Sequence, residues 1–487
     1  MKGFGDNKQL KKNNLSVGNI LVNNKFLDKA IEFQAKGQIL EASKYYKHLI
    51  NQGLKNAQVF SNYGTCLKEI GKFIEAESYY RKAIQINPKY AMAYSNLGAT
   101  LIELGKFKDA EIFILKAIEL NPKHAMAYFN LGCILLTLGK LKDAETSFCK
   151  TIELNPDFVQ PYFSLSILKN QTDNKNWYKT LLSKKFLIKK NAKEKVDIYF
   201  ARANILHKEK KYHDASINLQ LANNLKLKFK KSNLDYTIKK SSFLLAETYK
   251  TDKNFSKISV NDSENIFIVG MPRSGSTLVE SIISINDNVI DLGEKNIFEE
   301  AFFESKKVNQ NITLKEIYSK KINYISKRYP INTNKSLFNF QYAGIIAKQL
   351  PNSKIIHCER NPLDNILSIY RAHFTKGNHY SSSLNDCAKL YLNQKEIMDT
   401  YKNLFPENIY CLNYESLVKS PTRIIKSLIN WLGWKWDDRY LSPQLNNRPV
   451  FTRSIVEVRS PINSKSIGTW KNYEKMLKPA IEIIQAN

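Results

Sequence analysis

The sequence predicts an α-helical solenoid followed by an α/β domain of the P-loop type with a central parallel sheet. Three observations lead there. A set of glycine, alanine and proline marks recurs every 34 residues through the first half. Two short apolar, β-branched runs in the second half, 265–269 and 354–358, each pass into a polar loop and then into a segment with helical periodicity. Buried strands alternating with helices are the pattern of a parallel sheet covered on both faces. Between the halves lies a polar, turn-rich stretch, 251–263, which reads as a linker.

At 487 residues the chain exceeds what one core holds, and about two to four units are expected. A hydrophobic content of 43% is ordinary for globular proteins and excludes wholesale disorder. The six cysteines (Cys66, Cys133, Cys149, Cys358, Cys387 and Cys411) are scattered without a CxxC pair. That pattern fits a reducing compartment and gives no metal-ligand spacing. The first residues are polar and basic with no apolar h-region, and nowhere do ~18 apolar residues run together, so neither a signal peptide nor a membrane span is expected. A cytoplasmic protein is the resulting expectation. The formal charge of +29 is spread through every segment, which does not single out nucleic acid. A basic field does attract polyanionic nucleotides and acidic acceptors.

The repeat is read from Pro88, Pro122 and Pro156, each 34 residues apart. Gly64, Gly98 and Gly132 keep the same step, as do Gly71, Gly105 and Gly139, and Ala76, Ala110 and Ala144. Tyr80, Ile114 and Phe148 share a bulky position. Each unit reads as two amphipathic helices, with Gly and Ala at the point of closest approach and Asn-Pro ending the second helix. The pattern resembles the tetratricopeptide repeat. A degenerate unit precedes, with Gly37, Ala42 and Tyr46 in phase, and another is expected over 194–227, where Ala203, Tyr212, Ala215 and Ala222 keep it. The stretch 157–193 loses the pattern and contains a loop, NQTDNKNW. The expected organisation is a poorly ordered 1–21, a solenoid over 22–250, the linker, and a second domain over 264–487. A solenoid offers a concave surface to a protein or peptide partner; self-association is the rival use.

The run 265–269 leads into Gly270-Met271-Pro272-Arg273-Ser274-Gly275-Ser276-Thr277 and then LVESIISI. Strand, glycine loop and helix together aim backbone N–H groups at a phosphate. Ser276 stands where a nucleotide-triphosphatase loop carries lysine, which argues against ATP or GTP hydrolysis. A phosphosulfate needs hydroxyls and amides close by and one cation, which Arg273 supplies. IFIVG followed by PRSGST resembles the 5′-phosphosulfate loop of sulfotransferases, nearest to the tyrosylprotein sulfotransferases and their bacterial relatives. The second run, 354–358, ends at Arg360-Asn361-Pro362 and a helix carrying Ser368. Arginine's planar fork of donors suits phosphate. This segment resembles the family's 3′-phosphate motif, and a second phosphate site suits PAPS (3′-phosphoadenosine 5′-phosphosulfate) and not ATP.

The resemblance extends over roughly 264–476. Tyr414, in YCLNYESL, corresponds to a family tyrosine near the adenosine. Ser454 through Trp470 resemble a C-terminal segment that covers the cofactor. Relatives carry Arg or Lys just before that tryptophan, whereas this chain has Thr469, with Lys471 or Lys465 as candidate substitutes. The resemblance implies cofactor-binding roles for Arg273, Ser274, Gly275, Ser276, Thr277, Arg360, Ser368, Tyr414 and Ser454. It also implies Glu294, in Asp291-Leu292-Gly293-Glu294, as the base that takes the acceptor proton, and Lys335 with Arg273 as cations at the leaving group. His357, His373 and His379 are rival bases without a matching context. The implied reaction is sulfuryl transfer from PAPS to an acceptor hydroxyl, on protein tyrosine, a carbohydrate or a small metabolite. No metal is implied. A repeat scaffold with an inactive P-loop domain is the competing expectation.

Overall fold

The computed structural model describes residues 23–168, 176–251, 264–307, 312–325, 330–350, 352–375, 377–446, 448–450, 452 and 454–487. The expected N-terminal tail 1–21, most of the linker and most of the NQTDNKNW loop lie outside these residues. The chain divides into two compact units, residues 1–161 with 170–174, and residues 162–169 with 175–487.

The first unit is a run of helical hairpins. A helix over 23–35 is followed by Ile39–Asn51, then Ala57–Glu69 with Phe73–Ile86, Ala91–Glu103 with Phe107–Leu120, and Ala125–Thr137 with Leu141–Leu154. The glycines of the first helix in each of the last three pairs sit at close contacts, tightest at Gly98 and Gly132. A Cβ would lie 3.0 Å from Tyr80 at Gly64, 2.3 Å from Ile114 at Gly98 and 2.5 Å from Phe148 at Gly132. Ala76, Ala110 and Ala144 are fully buried opposite them. The second helix of each pair ends one residue before Asn87, Asn121 or Asn155, whose backbones turn away from the helix. The following proline disfavours a helical residue before it. Each asparagine adds a turn of its own, because its side-chain oxygen accepts the backbone N–H two residues on, at 3.0, 3.1 and 3.2 Å.

The second unit is built on a five-stranded parallel sheet: β1 (Glu264–Gly270), β2 (Val289–Asp291), β3 (Ile331–Asn334), β4 (Ser353–Glu359) and β5 (Ile409–Asn413), in the order β2-β3-β1-β4-β5. β1 is apolar from Ile266 to Val269, where both faces are covered. Phe267 and Val269 enter a core with Phe298, Tyr318, Tyr342 and Tyr401, while Ile266 and Ile268 enter one with Val279, Ile282 and Leu428.

The expected solenoid ran to residue 250, but the compact units part between 161 and 162. The in-phase segment 194–227 does form a hairpin, α1 (Ala192–Lys208) and α2 (Tyr212–Phe229), followed by α3 (Leu234–Lys250). Its apolar face belongs to the second unit. Phe200, Ala203, Leu219 and Ala222 share a core with Ile366, Tyr370, Tyr473 and Leu477. On α3, Thr237 and Ser241 accept the side-chain amide of Gln341, and the backbone oxygens of Thr248 and Thr251 accept from Lys348. Small residues at helical spacing specify a close hairpin and leave its partner open.

Candidate active site

All five strands deliver a residue to the same end of the sheet, where open parallel sheets hold ligands. β1 runs into the loop 271–275 and α4 (Ser276–Ile283). Arg273 takes φ +68°, a left-handed torsion that costs a non-glycine residue about 1–3 kcal/mol and is held mainly at functional sites. Gly275 takes φ +93°, and a Cβ there would lie 2.5 Å from the Tyr414 ring. Only glycine meets both conditions.

Arg273 is the hub of one group. Its Nε donates to Ser368 Oγ at 3.1 Å, Nη1 donates to Ser454 Oγ, and Nη2 donates to Glu457 Oε1 at 2.6 Å. Ser368 therefore faces Arg273. Arg360, at the end of β4, donates to the backbone oxygens of Arg273 at 2.8 Å and Ser466 at 3.2 Å, and its guanidinium lies 4.6 Å from the centre of the Tyr414 ring. The Tyr414 hydroxyl is 2.9 Å from Ser466 Oγ. Thr277 Oγ1 approaches Thr452 Oγ1 at 3.4 Å, and Ser276 is buried at the start of α4. Three buried polar atoms here have no hydrogen-bond partner, Ser274 Oγ, Arg360 Nε and Asn365 Oδ1. All three residues line a cavity of about 390 Å³ with Asn361, Tyr391 and Glu415.

The second group lies beyond β2 and β3. Leu292 N–H donates to Thr333 O at 2.8 Å and Lys335 N–H to Gly293 O at 2.9 Å, which carries the ladder past the strand ends and sets Glu294 beside Lys335. Lys335 Nζ donates to Glu294 Oε1 at 2.7 Å and lies 3.7 Å from Glu280 Oε2. Lys335 is 1% exposed, whereas the Glu294 side chain is 53% exposed and reaches solvent. Burial raises the pKa of Glu280, against the pull of Lys335 and Arg448. Burial opposes the charge of Lys335, but Glu280 and Glu294 outweigh it and hold its pKa above the ordinary lysine value.

Of the rival histidines, His357 lines the same cavity as Ser274 and Arg360, and His373 and His379 are not among its lining residues. His357 Nε2 is 2.6 Å from the Gln394 amide, and burial pulls its pKa down to about 4. His373 Nε2 is 2.6 Å from Asp197 Oδ1. His379 sits in a 3-10 turn, its pKa lowered by burial and by Lys230 and Lys226. His357, Glu359 and Cys411 bring their ligand atoms within 4.8 Å of one another among the described residues, a cluster made by β4–β5 pairing and invisible to sequence spacing.

Several residues of the site escaped sequence reasoning. Glu280 is an acid inside an apolar helix, a signal that was present in LVESII. Glu457 and Asp364 gave none. Asp364 accepts the backbone N–H of Gly468 at 2.6 Å and of Trp470 at 3.0 Å, so the C-terminal segment is tied down through its main chain. That tie does not depend on the side chain at 469. Lys465 and Lys471 are exposed.

Residues 296–438 match the sulfotransferase family, a span that includes Arg360 and Ser368 and begins after the loop 271–275. Residues 26–128 match the middle TPR-like domain of cilia and flagella-associated protein 70, and 113–146 match the tetratricopeptide repeat. An uncharacterized protein of Aquifex aeolicus (strain VF5) is 30% identical over 59% of this chain and 41% of its own length. The protein-tyrosine sulfotransferase of Drosophila melanogaster is 23% identical over 47% of this chain and 52% of its own. The chain thus spans about half the length of these relatives. Among solved structures, MamA aligns at 22% identity over 37% of this chain and 95% of that one, with a TM-score of 0.26. Among the described residues no helix is long and apolar enough to cross a membrane. The chain joins tetratricopeptide-type repeats to a region, 296–438, that matches the sulfotransferase family.

Proposed function

We propose that the second unit transfers a sulfuryl group from PAPS to an acceptor hydroxyl, with protein tyrosine as the leading acceptor class. The observation that carries this reading is a pair of buried, unpartnered donors that line one cavity, Ser274 Oγ in the loop and Arg360 Nε at the end of β4. A buried polar atom without a partner is costly, and a phosphate oxygen would satisfy each. In this reading Arg273, Ser274, Gly275, Ser276 and Thr277 hold the 5′-phosphosulfate, and Arg360 and Ser368 hold the 3′-phosphate. Tyr414 borders the adenosine, and Ser454 belongs to the covering segment. PAPS supplies the activated sulfuryl group. Glu294, exposed and at the mouth of the site, takes the acceptor proton. Lys335 and Arg273 stabilise the charge that develops on the leaving oxygen.

The distant likeness to protein-tyrosine sulfotransferases of Drosophila and Danio rerio supports the tyrosine acceptor. The repeats are assigned a protein or peptide partner, the common use of such solenoids. Six cysteines without a disulfide support a cytoplasmic setting.

The test is thermal denaturation of the full chain with the bisphosphate product PAP or with ATP, in the wild type and in Arg360→Ala. A ligand that binds only the folded state raises the midpoint with concentration. PAP is expected to raise it, ATP to leave it nearly unchanged, and Arg360→Ala to lose most of the PAP response. No response of the wild type to PAP overturns the reading.

A further inference from the structure

We infer that Glu280 is a positioning residue for sulfuryl transfer, holding Lys335 in place while Glu294 changes its protonation; the inference rests on the function proposed above. Three ionisable groups stand in a row, Glu280, Lys335 and Glu294, and they differ sharply in exposure. Glu280 is 6% exposed and Lys335 is 1% exposed. Glu294 reaches solvent, where an acceptor would arrive, and is the shorter partner of Lys335 at 2.7 Å against 3.7 Å for Glu280.

A base hydrogen-bonded to its only neighbouring cation is a poor base, and a cation whose only counter-charge is being neutralised is poorly held. In the transfer the bond between sulfur and the donor's bridging oxygen breaks, and its electron pair stays on the departing phosphate. The acceptor oxygen forms the new bond to sulfur, and its proton passes to Glu294. At that moment Glu294 loses its charge and its grip on Lys335. Glu280 remains as the second carboxylate beside Lys335, whose charge, with that of Arg448, opposes the effect of burial on it. Its Oε1 has no other hydrogen-bond partner, so the carboxylate can close the remaining distance to Nζ. α4 follows the loop 271–275 and carries this acid among the buried Val279, Ile282 and Ile283. Two other groups act on the trio, Arg448, which attracts Glu280, and the Cys358 thiol of β4, held neutral by burial.

The test compares the full-length wild type with Glu280→Gln and Glu280→Asp. Two quantities are read: PAP binding by thermal shift, and transfer from labelled PAPS to an acidic tyrosine peptide and to water, across pH. Glu280→Gln is expected to bind PAP within about twofold of wild type and to slow transfer by about tenfold or more, the scale of a lost charge-positioning group. The sign of the pH effect follows from the charges. The two carboxylates hold the Lys335 pKa high, so removing one lowers it, and the decline of transfer at high pH moves to lower pH. Glu280→Asp, which keeps the charge, restores part of the rate. Undiminished transfer in Glu280→Gln overturns the inference. So does a parallel loss of melting temperature, PAP binding and transfer, which would mark a structural role alone. If the wild type neither binds PAP nor transfers, the proposed function falls first and this inference with it.

Discussion

At Gly132 in the repeats and at Gly275 in the phosphate loop, an added Cβ would sit 2.5 Å from an aromatic ring, Phe148 in one case and Tyr414 in the other. The two sites differ in everything else. Gly132 lies inside a regular helix, and its ring belongs to the next helix of the same hairpin. Gly275 lies at φ +93°, and its ring follows β5, at the far end of the sheet order. One glycine solves a packing problem between sequence neighbours, and the solution recurs with each hairpin. The other solves a packing problem and a backbone problem together, once, at a place where distant segments converge. Repeated local contacts leave a period in the sequence; convergent ones leave isolated motifs.

Substitutions should separate the two glycines. The largest effect is expected for Gly275→Ala, which meets both the left-handed torsion and the Tyr414 ring. The PAP-induced rise in melting temperature should disappear, and pairing it with Tyr414→Ala should relieve the clash and not the torsion, leaving the response still weak. Restoration to wild-type binding in the double variant would show that the backbone conformation matters little. Gly132→Ala meets only the Phe148 ring and should destabilise by about 1–3 kcal/mol in denaturant unfolding, the usual cost of overpacking, with the PAP response intact. Trimming the ring in the same chain, Phe148→Leu, should recover part of that loss. The smallest effect is expected at Asn121→Ala, which removes one exposed side-chain hydrogen bond to Lys123 N–H and should cost about 0.5–1.5 kcal/mol. A cost above that range would show that the asparagine does more than shape the turn.

Much of the fold was legible because its signals are local. The 34-residue step, the strand–loop–helix at 265–283 and the second strand ending at Arg360 are each written in contiguous residues. The in-phase hairpin at 192–229 marks the limit. Its small residues correctly specify two closely packed helices, but the same spacing serves a hairpin stacked in a repeat array and one laid against the helices of an α/β domain. What its outer face covers depends on Ile366, Tyr370, Tyr473 and Leu477, none of them near it in sequence.

The candidate site shows the same division. Glu294 and Lys335 were named separately from family likeness, and their adjacency comes from the β2–β3 ladder, which sets strand ends side by side. Arg360 and Ser368, named together for one phosphate, are both tied to Arg273, Ser368 through the side chain and Arg360 through the main-chain oxygen. Glu457 and Asp364 were illegible because a surface acid and a tether look alike until the C-terminal segment is folded over them.

The sequence by itself determined the helical repeats and the two strand–loop–helix units that begin at 265 and 354, since each depends on residues within a few turns of one another. Only the tertiary structure decided which core the hairpin at 192–229 joins, which side chains neutralise Arg273, and that Lys335 stands between an exposed and a buried carboxylate. Those outcomes depend on which non-neighbouring segments the parallel sheet brings to one edge, and loop closure over such distances leaves no period or spacing in the chain from which to read it.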